Sequence, residues 1–292
     1  MREQLLLDFY NHFVDYLYSE DVSDLFDKII LMMLYVHECS EFDLLKPEYY
    51  ELLLLNNFTS VVNDENLKAI FYKIDYEYYN FLLNSNELSL EIIKLMELIS
   101  KMNYGMIEFN NLFNSYYMFL ELKKIKRVGW IKRGVSNEYI ENDVIHTIQM
   151  FGLASVYFRI YKPQNMDYRK ILEMIFIHEI GEVVTGDIAE GEKEHVNKHD
   201  FEFVGVKKAF ANLKDSDYFI NLWNEFEDRE TNEAKFVYLL DKMDPVLKAK
   251  YLDEKLGRED LFKDFSLYEE NRRTFVDNEL TDVFKLVNTK IK

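Results

Sequence analysis

Turn-forming residues are scarce in this chain, and that scarcity constrains its fold more than any other sequence feature. Only 9 glycines and 3 prolines occur among 292 residues. Proteins rich in β-sheet need such residues at many tight turns, so a sheet-rich fold is disfavoured. Apolar residues make up 48% of the chain and aromatic residues 16%, enough to fill a large core between helices. The sequence therefore predicts an all-α protein.

Net charge and cysteine content limit the class of partner. The formal net charge is −18, and so acidic a protein repels duplex nucleic acid while it attracts cations. A single cysteine, Cys39, excludes an internal disulfide framework and indicates a reducing compartment. The sequence starts without a signal-peptide core, and its apolar runs are too short to span a bilayer. We therefore expect a cytoplasmic protein that binds neither membrane nor duplex nucleic acid.

One stretch concentrates ionisable groups within an apolar helical pattern. Residues 171–188 read ILEMIFIHEIGEVVTGDI, and most of them fall in a helix that we predict over Tyr168–Val184. On a helix, His178, Glu179 and Glu182 can face the same side, because Glu182 follows the other two by four and three residues. Burying so many charged groups is costly unless something pairs with them. A metal ion is the natural partner.

Two further candidates lie on other helical segments. His146 lies in the predicted helix Asn142–Phe158, where a lone histidine is more often structural than a metal ligand. Asp241 directly follows an apolar run, so it needs either a helix end or a cation. A zinc-protease site is excluded, because an HExxH motif would have a second histidine where Glu182 stands.

A short basic run interrupts this acidic chain ahead of the histidine-bearing segments. Residues 123–127 read KKIKR and lead into Trp130 and Arg133. Such runs are usually solvated surface, although the position of this one also fits a phosphate-facing role. For Trp130, packing in the core and stacking on a sugar or base are both open.

In chain order, His146, His178 with Glu179, and Asp241 give the pattern H…HE…D. This resembles the H…HD…D pattern of the HD-domain metal-dependent phosphohydrolases. The resemblance covers residues 118–255 and implies a helical bundle with one metal site.

Local runs are most similar to the 5′-deoxynucleotidase-like branch of that superfamily, the nucleoside 5′-monophosphatases. HEIGEVVTGDI at 178–188 resembles its HD-x-x-E-x-x-x-GD-[IL] motif. RVGWIKRGV at 127–135 resembles its entry motif, and LWNEFEDRETNEAKFVYLLD at 222–241 resembles its W-x-E-[YF]-E…EAKFVKxLD run.

The resemblance implies a hydrolase of phosphate monoesters, with a (deoxy)nucleoside 5′-monophosphate as its small-molecule nucleotide substrate. His146, His178, Glu179 and Asp241 would hold one divalent transition metal ion, either Mn, Co, Fe or Zn. Such an ion lowers the pKa of bound water and screens the charge of a phosphate.

The remaining candidates handle protons or bind substrate. Glu182 is the first candidate for the catalytic proton-transfer group, and Asp187 is the second. Arg127, Trp130 and Arg133 are the candidates for substrate binding.

Two departures from the family pattern keep an alternative open. Glu179 stands where the family has aspartate, so its carboxylate extends one methylene further. Gly129 stands where some members carry arginine, which leaves the sugar preference open. A catalytically weak or inactive HD-domain protein that binds nucleotide or metal in a regulatory role is therefore the alternative.

The N-terminal half contains a second, weaker copy of the pattern. His37 follows an apolar run and precedes a glutamate, as His178 does. His37 precedes Ser100 by 63 residues, the same separation as between His178 and Asp241. We interpret residues 1–115 as a degenerate, non-catalytic HD-like repeat, with chance spacing as the alternative.

This interpretation divides the chain into three parts. Residues 1–115 form a helical N-terminal region, residues 116–255 the HD phosphohydrolase domain, and residues 256–292 a helical appendage that packs on it. Relatives in this branch tend to be dimers, so a homodimer is a further expectation.

Overall fold

The computed structural model describes residues 2–19, 21–39, 46–61, 65–101, 109–187 and 198–267. Within these ranges the chain is helical and has no β-strand, which confirms the all-α prediction. An isolated antiparallel bridge joins Lys126 to Asn142. None of the helices in these ranges is long and apolar enough to cross a membrane.

The helices follow one another in a simple order. The first six are α1 (Arg2–Ser19), α2 (Ser23–Cys39), α3 (Pro47–Val61), α4 (Glu65–Asn84), α5 (Asn86–Lys101) and α6 (Asn110–Glu121). The next four are α7 (Val128–Lys132), α8 (Asp143–Tyr161), α9 (Tyr168–Ile177) and α10 (Glu182–Thr185). The last four are α11 (Lys198–Phe210), α12 (Ser216–Asp228), α13 (Asn232–Leu256) and α14 (Leu261–Leu267).

Side-chain caps fix where the three central helices begin. Asn142 accepts a hydrogen bond from an amide in the first turn of α8 at 3.0 Å. Asp167 caps α9 at 3.1 Å and Thr231 caps α13 at 3.2 Å in the same way. Because such caps satisfy amides that a helix start leaves unpaired, they set the register of every residue that follows. They place His146 in the first turns of α8.

The single helix predicted over 168–184 is wrong at 178–181, because α9 ends at Ile177 and α10 begins at Glu182. Beyond Ile177, the amides of Ile180 and Glu182 bond to carbonyls three residues back, at 3.1 and 2.9 Å. This is a tightening of the 3₁₀ type. It coincides with the His178 side chain, whose Nδ1 donates to a carbonyl in the last turn of α9 at 2.6 Å.

The N-terminal and C-terminal halves pack directly on each other. Helix α1 packs against α8 and α13, and α4 packs against α8. A Cβ at Gly152 of α8 would lie only 2.1 Å from the ring of Phe13, so α1 contacts bare backbone there. His37 also reaches across, since its Nδ1 lies 3.0 Å from a carboxylate oxygen of Asp215. The repeat interpretation remains a prediction.

The predicted domain limits fall at helices. Residue 115 lies inside α6, and residue 255 lies in the last turn of α13. Helix α14, in the predicted appendage, packs on α13. Residues 268–292 of that appendage lie outside the described residues.

We expect Gly152→Ala to destabilise the protein by about 1–3 kcal/mol, the usual cost of overpacking a core. The matched control is Gly129→Ala, where a Cβ would meet only Arg133 at 3.6 Å. Since alanine favours a helix over glycine, we expect that control to be neutral or stabilising by up to about 1 kcal/mol. Urea unfolding measures both, and equal effects would contradict the packing described.

Candidate metal centre

Four side chains with metal-binding atoms converge where α8, α9 and α13 meet. His146 lies on α8, His178 and Glu179 directly follow α9, and Asp241 lies on α13. All four are buried, and one ligand atom from each lies within 4.8 Å of the others. Helix α13 packs on both α8 and α9, which brings residues 95 positions apart into contact. The structure therefore brings together the four residues that we predicted as ligands.

Hydrogen bonds at one ring nitrogen turn the other nitrogen of each histidine toward the cluster. His178 Nδ1 donates to a backbone carbonyl, and its buried Nε2 has no hydrogen-bond partner among the described residues. His146 Nδ1 donates to Asp244 at 2.7 Å, and its Nε2 lies 3.2 Å from Asp241 and 3.7 Å from Glu179. An Nε2 lone pair oriented in this way is what a metal ligand needs. Two imidazoles and two carboxylates fit a divalent transition ion.

The neighbouring carboxylates also control the protonation of His146. Burial and Arg127 lower the pKa of His146, but hydrogen bonds to Asp241 and Asp244 outweigh them and raise it to about 10. A metal ion at Nε2 has to displace this proton. Because a ligand must be deprotonated to bind a metal, we expect affinity for a divalent ion at this site to rise with pH.

Arg127 reaches the cluster from the segment that precedes α7. Its Nη1 donates to Glu179 at 2.5 Å and lies 3.8 Å from Asp143, and its Nη2 lies 3.9 Å from Asp241. The longer side chain of glutamate, compared with the aspartate of the family pattern, carries its carboxylate toward this guanidinium. Arg127 and a metal ion would therefore share Glu179.

Asp143 is a member of this cluster that the sequence analysis missed. Both of its carboxylate oxygens are buried and have no hydrogen-bond partner in the part of the chain described. Burial and the negative charge of Glu179 raise its pKa to about 8. One signal was available, because Asp143 precedes His146 by three residues, a spacing that places two side chains on one helix face.

Glu182 has one anchored oxygen and one free oxygen. Its Oε1 accepts a hydrogen bond from Lys198 at 2.8 Å, while Oε2 is buried without a partner in the described ranges. Burial and the charge of Glu179 raise the pKa of Glu182 well above its usual range, although Lys198 opposes them. Lys198 also pairs with Glu202 at 3.0 Å. A carboxyl group with these properties suits proton transfer.

Asp187 lies at the edge of the cluster. Its carboxylate accepts a hydrogen bond from the amide of Val128, the first residue of α7. This contact ties the turn after α10 to the segment that carries Arg127. The role of Asp187 in proton transfer remains a prediction.

Trp130 and Arg133 make contacts within the protein. Trp130 is 2% exposed, and its indole N–H donates to Glu141 at 2.8 Å. The Arg133 guanidinium lies 4.1 Å from the ring centre of Phe265 and 3.2 Å from Asp264. The core-packing interpretation of Trp130 agrees with its burial, and substrate binding by either residue remains a prediction.

Comparison with known proteins identifies the family. The sequence profile of the HD domain family matches residues 119–281, which are 163 of the 292 residues. The chain therefore belongs to the HD domain family. The predicted resemblance to this family is confirmed.

Named relatives share part of the chain. The protein called 5′-deoxynucleotidase HDDC2 in Dictyostelium discoideum is 28% identical over 137 residues, 44% of this chain and 70% of its own length. The Homo sapiens protein of that name is 29% identical over 147 residues, 47% of this chain and 68% of its own. A crystal structure from Pyrococcus horikoshii has 26% identity and a TM-score of 0.47, covering 61% of this chain and 98% of its own.

We expect Arg127→Met to bind Mn²⁺ or Co²⁺ at least about tenfold more tightly, because a unit positive charge is removed from beside the ligands. Without added metal, the same variant should unfold at a lower temperature, because Glu179 loses its partner. Isothermal titration and thermal unfolding measure the two effects.

The matched control for this prediction is Arg159→Met. Arg159 pairs with the buried Glu51 at 3.7 Å and lies on α8 about 20 Å along the helix from His146. We expect this control to lose stability with no change in metal affinity. A loss of metal affinity in Arg127→Met would show that the guanidinium supports the ion and does not compete with it.

Proposed function

We propose that this protein hydrolyses (deoxy)nucleoside 5′-monophosphates to nucleoside and inorganic phosphate with the aid of one divalent transition metal ion. The convergence of two imidazole nitrogens and two carboxylates within 4.8 Å carries the proposal. The relatives that bear the name 5′-deoxynucleotidase support the substrate class.

His146, His178, Glu179 and Asp241 would hold the ion. When bound, it supplies activation of a water molecule and screening of the phosphate charge. Arg127 would then bind the phosphate, because a guanidinium can donate two parallel hydrogen bonds to phosphate oxygens. Its contacts with three carboxylates orient the guanidinium toward the site before a phosphate binds.

Glu182 would move the proton that hydrolysis requires. The reaction joins a water oxygen to phosphorus and breaks the bond between phosphorus and the 5′ oxygen, which takes up a proton. A carboxyl group with a raised pKa can donate that proton and then accept one from the attacking water. Lys198 holds Oε1 of Glu182, so the free Oε2 is the oxygen available for this transfer.

A regulatory protein that binds nucleotide or metal without turnover is the alternative. The pairing of Arg127 with Glu179 favours it, because Glu179 is the residue that departs from the family pattern. In that case the glutamate would serve an ion pair at the expense of the metal. The variant Glu179→Asp shortens the side chain by one methylene. It therefore tests whether this position serves the ion pair with Arg127 or the metal ion.

We expect wild-type protein loaded with Mn²⁺ or Co²⁺ to release phosphate from a panel of nucleoside 5′-monophosphates. Asp241→Ala should lose metal binding and turnover together, because it removes one of four ligands. The matched control is Asp253→Ala on the same helix, whose carboxylate caps α14 through Leu261 and Phe262. That control should lose stability and keep its metal.

Each outcome of this assay decides between stated positions. Full metal stoichiometry in Asp241→Ala would show that the ligand assignment is wrong. Nucleotide binding without phosphate release under any metal would support the regulatory alternative. Activity gained by Glu179→Asp would then identify the glutamate as the reason for the loss.

We further expect Glu182→Gln to lower kcat on the order of 10²- to 10⁴-fold while metal affinity is retained. The matched control is Glu202→Gln. Both carboxylates bind Lys198, but only that of Glu182 has a buried oxygen without a partner in the described part of the chain. Steady-state kinetics and metal titration measure the two variants, and equal losses of kcat would argue for a structural effect through Lys198.

A further inference from the structure

Tyr10, on α1 of the N-terminal half, contacts a carboxylate beside the candidate metal centre. Its hydroxyl donates to Oδ1 of Asp244 at 2.7 Å and lies 3.0 Å from the backbone oxygen of the same residue. The other carboxylate oxygen, Oδ2, accepts a hydrogen bond from Nδ1 of His146 at 2.7 Å. Tyr10, Asp244 and His146 are all fully buried. A continuous hydrogen-bonded path therefore links α1 to a candidate ligand.

We propose that Tyr10 is a positioning residue for the metal centre, acting through Asp244 to fix the ring orientation and tautomer of His146. The inference rests on the proposed metal site and extends it to a helix outside the family match at 119–281. The hydroxyl of Tyr10 touches neither metal nor substrate in this scheme.

The geometry of Asp244 explains why a second donor matters. The terminal torsion of an aspartate is broad, so one hydrogen bond leaves the carboxylate plane poorly defined. Tyr10 holds the oxygen that His146 does not use. Gln149, in the amide orientation that satisfies both of its polar atoms, donates to the same carboxylate at 3.1 and 3.2 Å. Held from these sides, Asp244 can fix the imidazole.

The consequence for metal binding follows from the chemistry of histidine. A carboxylate at Nδ1 keeps the proton on that nitrogen, leaves the Nε2 lone pair for the ion and raises the basicity of the ring. Charge-assisted hydrogen bonds in a buried setting are the strong ones. Removing a hydrogen bond that orients Asp244 should therefore lower the affinity of the site for a metal ion at His146.

Packing of α1 on α8 places the Tyr10 hydroxyl in the interior beside Asp244. Tyr10 and Phe13 are three residues apart and share a face of α1. Phe13 packs against the bare backbone of Gly152, where a Cβ would lie 2.1 Å away. This close approach of the two helices brings Tyr10 to Asp244 on α13, which α1 also contacts.

The test compares Tyr10→Phe with Tyr79→Phe in the full-length protein. Tyr79 is also buried, on a helix that packs against α1 and α8, and its hydroxyl has no partner within the described ranges. Co²⁺ affinity is measured by competition with a chelator, the Co²⁺ site by its visible absorption spectrum, and stability by thermal unfolding without metal.

We expect Tyr10→Phe to weaken Co²⁺ affinity by about tenfold, the lower end of the range for groups that orient a metal-ligating histidine. Its Co²⁺ absorption spectrum should also change. Tyr79→Phe should leave both unchanged. Unchanged affinity and spectrum in Tyr10→Phe, with a lowered unfolding temperature, would show a purely structural role and overturn the inference.

Three further outcomes are decisive. If Tyr10→Phe does not fold, Asp244→Asn replaces it, and wild-type Co²⁺ affinity in that variant overturns the inference. A wild-type protein that binds neither Co²⁺ nor Mn²⁺ rejects the proposed metal site and this inference together. Metal binding by wild type with no effect of Tyr10→Phe rejects this inference alone.

Discussion

Compensation of buried negative charge is the constraint on which the rest of this structure depends. In each of three pairs a buried carboxylate bonds to a cation from another segment: Glu141 with Lys248, Glu179 with Arg127, and Glu182 with Lys198. Breaking a buried pair by removing one partner costs several kcal/mol, because the other charge is left in the interior. The Arg127 and Lys198 pairs therefore hold the segment before α7 and helix α11 to the residues after α9. The Lys248 pair holds α13 to the segment before α8.

Among the described residues, this compensation is incomplete at the ligand cluster. Arg127 is shared among Glu179, Asp143 and Asp241, and both oxygens of Asp143 lack hydrogen-bond donors among the described residues. Lys242 lies 3.0 Å from Asp241, and burial raises the pKa of Asp143 to about 8, so Asp143 is the member of the cluster whose charged form is least stabilised. A divalent cation would add positive charge beside these carboxylates and would use the Nε2 lone pair of His178.

Composition predicted the fold class, local spacing predicted the cluster around His178 and Glu179, and the family resemblance supplied the set of four ligand candidates. Contacts between distant segments were not predictable. The HE pair and its apolar helix are local, so residue type and period were enough. The end of α9 was missed because a hydrogen bond from the His178 side chain to the backbone overrides the helical pattern. Lys123 of the basic run pairs with Asp27 at 2.7 Å, so the run is partly used in surface ion pairs.

Contacts between residues far apart in the sequence join the two halves of the chain. Tyr10 and Asp244 are hydrogen-bonded although they lie 234 residues apart in the sequence, and no pattern in either segment predicts this pairing. Asp244 itself follows Asp241 by three residues on α13, which placed it on the ligand face without showing what it binds. A buried tyrosine is expected to fill the core of an aromatic-rich bundle, so the role of its hydroxyl could only be inferred from the structure.

The spacing of helices in the two halves bears on the role of the N-terminal region. The separation between His37 and His178 is 141 residues. Adding 141 to the bounds of α1 (Arg2–Ser19) gives 143–160, which coincides with α8 to within one residue at its end. This supports the interpretation of a degenerate repeat. His37 contacts Asp215 of the other half, so on this interpretation the position that corresponds to His178 takes part in the contact between the halves. On this interpretation, the helices of the repeat would still cover and orient the helices that carry the candidate ligands.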